Sequence, residues 1–264
     1  MKPLYLETGK QIQVCLDGPA LSVHKPGEAG RLFPLARLSR VVSGTDVIWQ
    51  QAALLALARV GVPVVFVEAQ GGVVARLLGM AGERSSLVQQ LEEVLVQPQG
   101  LTRYGDWCEH CRRAQLLAIG RLYPWLGRLP EGGYLERRIR QLLKEEDAKE
   151  ILIGMEHLRS RVFAWVTERL AHLGIGAQTP HLTGGIIDLP CDLATILQWQ
   201  ILVRWLALML RYPAMRNSAS AAGVRHDEHR ITRCYQVLEA GLEQAGRTLI
   251  ARLHLWTATR DCDS

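Results

Sequence analysis

Gly61-Val62-Pro63-Val64-Val65-Phe66-Val67 is the run that decides the fold. It is short, β-branched and apolar throughout, so it lacks the polar/apolar alternation of a strand with one wet face. Such a run predicts a strand covered on both sides. Just upstream, Thr45-Asp46 precedes Val47 to Arg59, where Ile48, Ala52, Leu55 and Ala58 recur at helical spacing. This predicts a capped helix over 47–59 that Gly61 ends. Further back, Lys10 to Leu16 alternates with Ile12, Val14 and Leu16 on one face, Asp17-Gly18 signals a turn, and Ala20 to Val23 returns as a second strand. Leu32 to Leu38, leading to Val41-Val42, is another strand candidate. Downstream, Gly71-Gly72 turns the chain into Val73-Val74-Ala75-Arg76-Leu77.

The turn-rich stretch from Gly79 to Ser86 reads as a domain link, and the pattern beyond it is helical. Helices are predicted over Leu87–Val96, Cys111–Leu122 and Tyr134–Leu143, the last with an arginine-rich face. Met155–Leu173 follows, with Met155, Leu158, Val162, Val166, Leu170 and Leu173 on one stripe. Asp192–Arg211 is apolar nearly all round and is expected in the core, and Arg225–Leu255 is amphipathic. The fold class expected is α+β, with a small β-rich domain over residues 1–80 and a mostly α-helical domain over residues 87–264.

Hydrophobic residues form 48% of the 264, enough to bury a core and to exclude a disordered tail. The net charge of +5 and a pI of about 9.0 suit a polyanionic partner or a merely basic surface. Arginine outnumbers lysine, which favours contact with phosphate oxygens. The amino terminus carries no secretory pattern, and Ile186 to Leu210 is interrupted by Asp188, Asp192, Gln198, Gln200 and Arg204. A cytoplasmic protein with no membrane span and reduced thiols is therefore expected.

Three residues carry the candidate chemistry: Glu156, in Gly154-Met155-Glu156; His181, after the Gly/Pro-rich turn Ile175 to Pro180; and Asp192, in Asp192-Leu193-Ala194-Thr195. Two carboxylates and an imidazole can hold a divalent cation beside a phosphodiester, with Mg²⁺ and Mn²⁺ suiting the donors. Each residue also has an ordinary reading: a first-turn helix carboxylate for Glu156, an N-cap for Asp192, and a loop histidine for His181. Arg137, Arg138, Arg140, Lys144 and Arg159 are phosphate-contact candidates or a solvated helix face. Cys108-Glu109-His110-Cys111 lacks the second pair that a zinc site needs and reads as a core or surface thiol pair. Trp49, Trp125, Trp165, Trp199, Trp205 and Trp256 fall on apolar stripes and read as packing residues. No phosphate-cradling Gly-x-x-x-x-Gly-Lys loop is present in the sequence.

The first eighty residues resemble the amino-terminal domain of the CRISPR-associated adaptation integrase family, Cas1. The resemblance rests on Leu4-Tyr5-Leu6-Glu7, Ile12-Gln13-Val14, Asp17-Gly18-Pro19-Ala20-Leu21-Ser22-Val23, Phe33 to Val42, Ala53 to Leu57 and Gly61 to Val67. It implies a β-rich domain that forms a homodimer, followed by a helical catalytic domain. In the second half, Ile151 to Glu156 is similar to the family's Gly-x-Glu, Pro180-His181-Leu182 to its histidine segment, and Asp192-Leu193 to its Asp-Leu-x-x. The resemblance thus implies Glu156, His181 and Asp192 as catalytic metal ligands for Mg²⁺ or Mn²⁺. It further implies metal-dependent DNA endonuclease and strand-transfer activity that inserts spacer DNA into a CRISPR repeat array. The implied partners are double-stranded DNA, a second copy of the chain, and the small adaptation protein Cas2. The chain departs from the family pattern in two places. Only 181 − 156 = 25 positions separate the Glu from the His where the family has a longer segment, and Thr195 stands where a second Asp often does. Asp188 does not match that second Asp's spacing. The alternative is a divergent, catalytically silent relative that acts as a DNA-binding or partner-bridging scaffold, and a third reading is an unrelated helical DNA-binding protein.

Overall fold

The computed structural model of the chain describes residues 1–6, 11–79, 85–124, 137, 140–141, 145–211 and 228–259. Arg138, Lys144, Trp125, Cys262, most of the Tyr134–Leu143 segment, residues 80–84 of the expected link and the start of the Arg225–Leu255 tail lie outside the described residues. A strand-built amino-terminal region is followed by a helical one, as the α+β reading requires. The strands are β1 (Lys2–Leu6), β2 (Gln13–Asp17), β3 (Ala20–His24), β4 (Arg31–Pro34), β5 (Leu38–Gly44), β6 (Ile48–Trp49), β7 (Val64–Val67) and β8 (Val73–Leu77). The helices are α1 (Gln51–Arg59), α2 (Ser86–Val96), α3 (Gly100–Leu122), α4 (Glu145–His172), α5 (Leu189–Arg211) and α6 (Glu228–Ala258). The chain gathers into two compact units: Met1–Glu92 with Ser160–Cys191, and Glu93–Arg159 with Asp192–Ser264. The division at residues 80 and 87 follows instead the change from strands to helices along the chain.

The first unit contains two four-stranded sheets, ordered β1-β5-β7-β8 and β4-β3-β2-β6. In the former, β1 and β7 flank β5 in parallel and β8 closes antiparallel on β7. Side chains alternate faces along a strand, so each strand of this sheet divides its apolar residues between two cores. Leu4, Leu6, Val41 and Val64 join one core with Val14, Leu21 and Val23 of the other sheet and Ala53 and Leu57 of α1. Tyr5, Val42, Val65 and Val67 face the other way, against Phe163 and Ala164 of α4. The unbroken apolarity of Val64 to Val67 has this cause: neither face meets water.

The helix α1 begins later than its periodicity suggests. Ile48 and Gln50 donate their amides to Ile12 and Val14, at 2.9 Å each, and the Gln50 side chain accepts from the Leu16 amide. Sheet pairing beside β2 captures Ile48-Trp49 as β6, and Gln50 rather than Asp46 precedes the helix. Gly61, at φ +73, supplies the left-handed residue that ends the helix. The Leu32–Leu38 segment likewise divides, into β4, a 3₁₀ turn over Leu35–Arg37 and the start of β5.

One ion pair crosses the second core. Arg40 of β5 donates to Glu168 of α4 at 2.5 Å, with only 3% and 7% of the two side chains exposed. The same guanidinium reaches the Tyr5 hydroxyl at 3.4 Å, and Arg161 of α4 lies 5.3 Å from the Tyr5 ring centroid. A buried charge that loses its partner retains the desolvation cost without the Coulombic return.

In the second unit, α4 runs through Gly154 without interruption. A Cβ there would meet the Trp205 ring at 2.6 Å, and the Trp205 indole N–H points to the Ile151 carbonyl at 3.4 Å. The glycine is therefore a packing contact and not a helix boundary. Met155, Leu158, Val162, Val166 and Leu170 are all buried, as their spacing predicts. α5 is the only described helix long and apolar enough to cross a membrane; its mean hydropathy is 1.5, and 61% of that stretch is buried within the protein.

Two stability predictions follow from these contacts. Arg40→Met should lose roughly 3–5 kcal/mol, whereas Arg40→Met with Glu168→Leu should recover most of it; urea unfolding of the three proteins would measure this. Gly154→Ala should gain about 1 kcal/mol from helix propensity yet be destabilised on balance, because overpacking against Trp205 costs about 1–3 kcal/mol. Thermal melting of the variant would give the sign.

Candidate active site

His181 sits in a loop of the first unit that several hydrogen bonds close on itself. Thr179, fully buried, accepts the Gly176 amide on its hydroxyl at 3.0 Å, and Pro180 opens a 3₁₀ turn over Pro180–Leu182. The next residues fold back on that turn. The Gly185 amide donates to Pro180 O, and those of Ile186 and Ile187 to His181 O, at 2.9–3.0 Å. A Cβ at Gly185 would lie 2.9 Å from the His181 Cα, so only glycine permits this approach. Arg76 of β8 clamps the far end. It donates to both Asp188 oxygens at 2.9 Å, to the Thr183 carbonyl, and lies 5.6 Å from the Phe163 ring centroid.

Within that loop the imidazole lies beside a carboxylate that sequence reasoning missed. His181 Nε2 is 3.0 Å from Glu92 Oε1 of α2. The nitrogen is buried, and no donor or acceptor meets it in hydrogen-bonding alignment.

Asp188 and Asp192 have different roles. Asp188 accepts from the Cys191 amide at 3.2 Å and precedes α5, so it is the cap. Asp192 lies inside the first turn and not at its cap, three residues beyond the helix start at Leu189. Its Oδ2 accepts the Tyr104 hydroxyl of α3 at 2.8 Å. Tyr104 is buried in an aromatic group with Trp107 and Trp256, at centroid distances of 5.8–6.3 Å. Burial pushes the phenol far above its ordinary range, and neighbouring Cys108 and Asp192 push it further, so Tyr104 remains a donor to Asp192.

Glu156 stands in the interior of α4, twelfth of its residues counting from Glu145, rather than at a helix start. A carboxylate there is beyond the first turn, where the helix dipole acts. Arg159, one turn on, donates to its Oε1. That pairing engages a side chain expected to face phosphate. Arg137 and Arg140 are exposed.

The Cys108–Cys111 pair faces inward from α3 while Glu109 faces water. Hydrogen bonds from Arg112 and Arg113 hold the Glu109 carboxyl at about 2. Burial pushes the Cys108 thiol up to about 12; the Tyr104 hydrogen bond opposes this, and the Asp192 charge adds to it. Burial also raises Cys111. The described cysteines are free thiols.

The donors at Glu156, His181 and Asp192 are of the kind that Mg²⁺ and Mn²⁺ take, and the buried Nε2 of His181, lacking an aligned hydrogen bond, fits a nitrogen ligand. His181 belongs to the first unit, and Glu156 and Asp192 to the second. Among the described residues, no group of three or more His, Cys, Asp or Glu side chains is gathered as a metal-binding cluster.

No protein-family model and no curated protein matches the chain. Solved structures do. TtCas1, in a complex with DNA, is similar over 95% of this chain and 91% of its own, at a TM-score of 0.61 and 18% identity. A Cas1 protein from Thermotoga maritima is similar over 95% and 97%, at 0.64 and 10% identity. A casposase bound to its integration product is similar over 89% and 82%, at 0.57 and 13% identity. The chain therefore has the Cas1 fold.

The raised thiol gives a prediction with a definite sign. A neutral thiol favoured by the fold adds stability that is present below the unfolded thiol value of about 8.5 and lost as pH rises toward 12. Cys108 should therefore react slowly with iodoacetamide at pH 8 and rapidly once urea unfolds the chain; equal rates in both states would contradict the burial described.

Proposed function

We propose that the chain is a metal-dependent DNA strand-transferase of the adaptation type, joining the 3′-hydroxyl of a spacer precursor to a phosphodiester of a CRISPR repeat. The observation that carries this reading is the fold itself, shared over 95% of the chain with a DNA-bound Cas1 and over 89% with a casposase bound to its integration product. Glu156, His181 and Asp192 would hold Mg²⁺ or Mn²⁺, which when bound supplies Lewis-acid stabilisation of the charge that develops on phosphorus.

The remaining work falls to the protein. Tyr104 fixes the Asp192 carboxylate by donating to Oδ2, and the Arg76 clamp holds the loop that presents His181. Arg159 sets the rotamer of Glu156. A net charge of +5, carried mostly by arginine, suits contacts to the DNA backbone that position the duplex without reading its sequence. One phosphodiester forms as another breaks, so no nucleotide cofactor is required. The β-rich residues 1–80 would form a homodimer, and Cas2 would be the further partner.

The test is joining of a short duplex with free 3′-hydroxyls to a supercoiled plasmid carrying a repeat, in Mn²⁺, with and without Cas2. Joined products should appear with the native protein. Glu156→Ala, His181→Ala and Asp192→Ala should each reduce them at least a hundredfold while DNA binding persists. DNA binding without joining or nicking under any of these conditions would overturn the enzymatic reading in favour of a scaffold.

A further inference from the structure

We propose that Glu92 is a ligand to the same divalent cation as His181. This rests on the reading above that His181 binds the metal. The distance is the first argument. His181 Nε2 and Glu92 Oε1 are 3.0 Å apart, close enough for a hydrogen bond, yet the ring nitrogen has no partner in line with it. A hydrogen bond at that distance should be nearly linear. A carboxylate oxygen and an imidazole nitrogen so close together, and not spent on each other in an aligned hydrogen bond, would both be available to one divalent cation.

The second argument is that both residues are held in place independently of each other. Leu87, Val88 and Leu91 of α2 are completely buried and fix the rotation of that helix, which sets Glu92 beside the stripe. The Ser85 hydroxyl donates to the Leu173 carbonyl at 2.6 Å and the Ala177 amide to the Gly79 carbonyl at 3.2 Å, fastening the approach to α2 to the segment leading to His181. The meeting of the two side chains is thus set by packed backbone, as a preformed site requires.

Glu92→Gln separates a ligand from a residue that only orients the ring. The amide oxygen still accepts a hydrogen bond from an imidazole N–H, but the group is neutral and a poor ligand for a hard cation. Mn²⁺ binding to the full chain would be measured by titration calorimetry and by the rise in Tm that Mn²⁺ produces, with melting in EDTA as the control for folding. The expected result is at least a tenfold weaker Kd and a smaller Tm rise in Glu92→Gln, an unchanged Tm in EDTA, and partial recovery in Glu92→Asp. Native affinity in Glu92→Gln, alongside weakened binding in His181→Ala, would overturn the role of Glu92 and leave that of His181 standing. Native affinity in His181→Ala, or no Mn²⁺ binding by the native protein, would overturn both.

Discussion

The guanidinium of Arg40 and the carboxylate of Glu168 are 128 positions apart in sequence and almost wholly withdrawn from water, so neither can keep its charge cheaply without the other. That constraint ties the carboxy-terminal half of α4 to the middle of β5. With the helix held there, Phe163 and Ala164 cover Val42, Val65 and Val67, and the central strands acquire their second dry face. Tyr5 and Arg161 extend the same seam, the ring taking a cation over its face and the hydroxyl meeting Arg40. A helix packed through apolar contacts alone could slide along a sheet of valines. A buried ion pair admits one register, and so it also sets where the chain leaves α4 and enters the loop that carries His181.

The strands were legible in the sequence wherever a single physical cause acted. Val64 to Val67 is apolar because both faces are covered, and Ile12 and Val14 alternate because one face is. Reading became wrong where two causes competed. The helical spacing of Ile48 with Ala52 and Leu55 is real, but β2 offered Ile48 and Gln50 backbone partners at 2.9 Å, and pairing took precedence over periodicity. Gly154 resembled a boundary because glycine disfavours helix interiors; the ring of Trp205, 51 positions away, supplies the reason for its presence, and no local pattern contains that information.

The candidate site was legible by residue type and not by role. Asp192 read as the helix-opening carboxylate, and only the Cys191 amide shows that Asp188 is the cap and Asp192 the residue inside the first turn. Tyr104 and Glu92 carried no signal at all. One lies on the apolar stripe of a helix and the other is a glutamate beside another glutamate, and each gains meaning only from a partner 88 or 89 positions away. Tertiary placement of polar atoms is the part of a site that sequence conceals, since it depends on which buried groups lack an alternative.

The ties around His181 are more numerous than a surface loop requires. A histidine that merely sits in a turn needs neither the clamp from Arg76 nor a glycine where an added Cβ would lie 2.9 Å from the histidine's own Cα. Closing the loop fixes the ring's origin, and the packing of α2 fixes the carboxylate beside it, so the rotamer entropy of presenting that nitrogen is lost when the chain folds rather than when a ligand arrives. The sequence places Gly184-Gly185 three residues after His181 and Asp188 three residues after that, a spacing that has its explanation in this loop whatever the ligand proves to be.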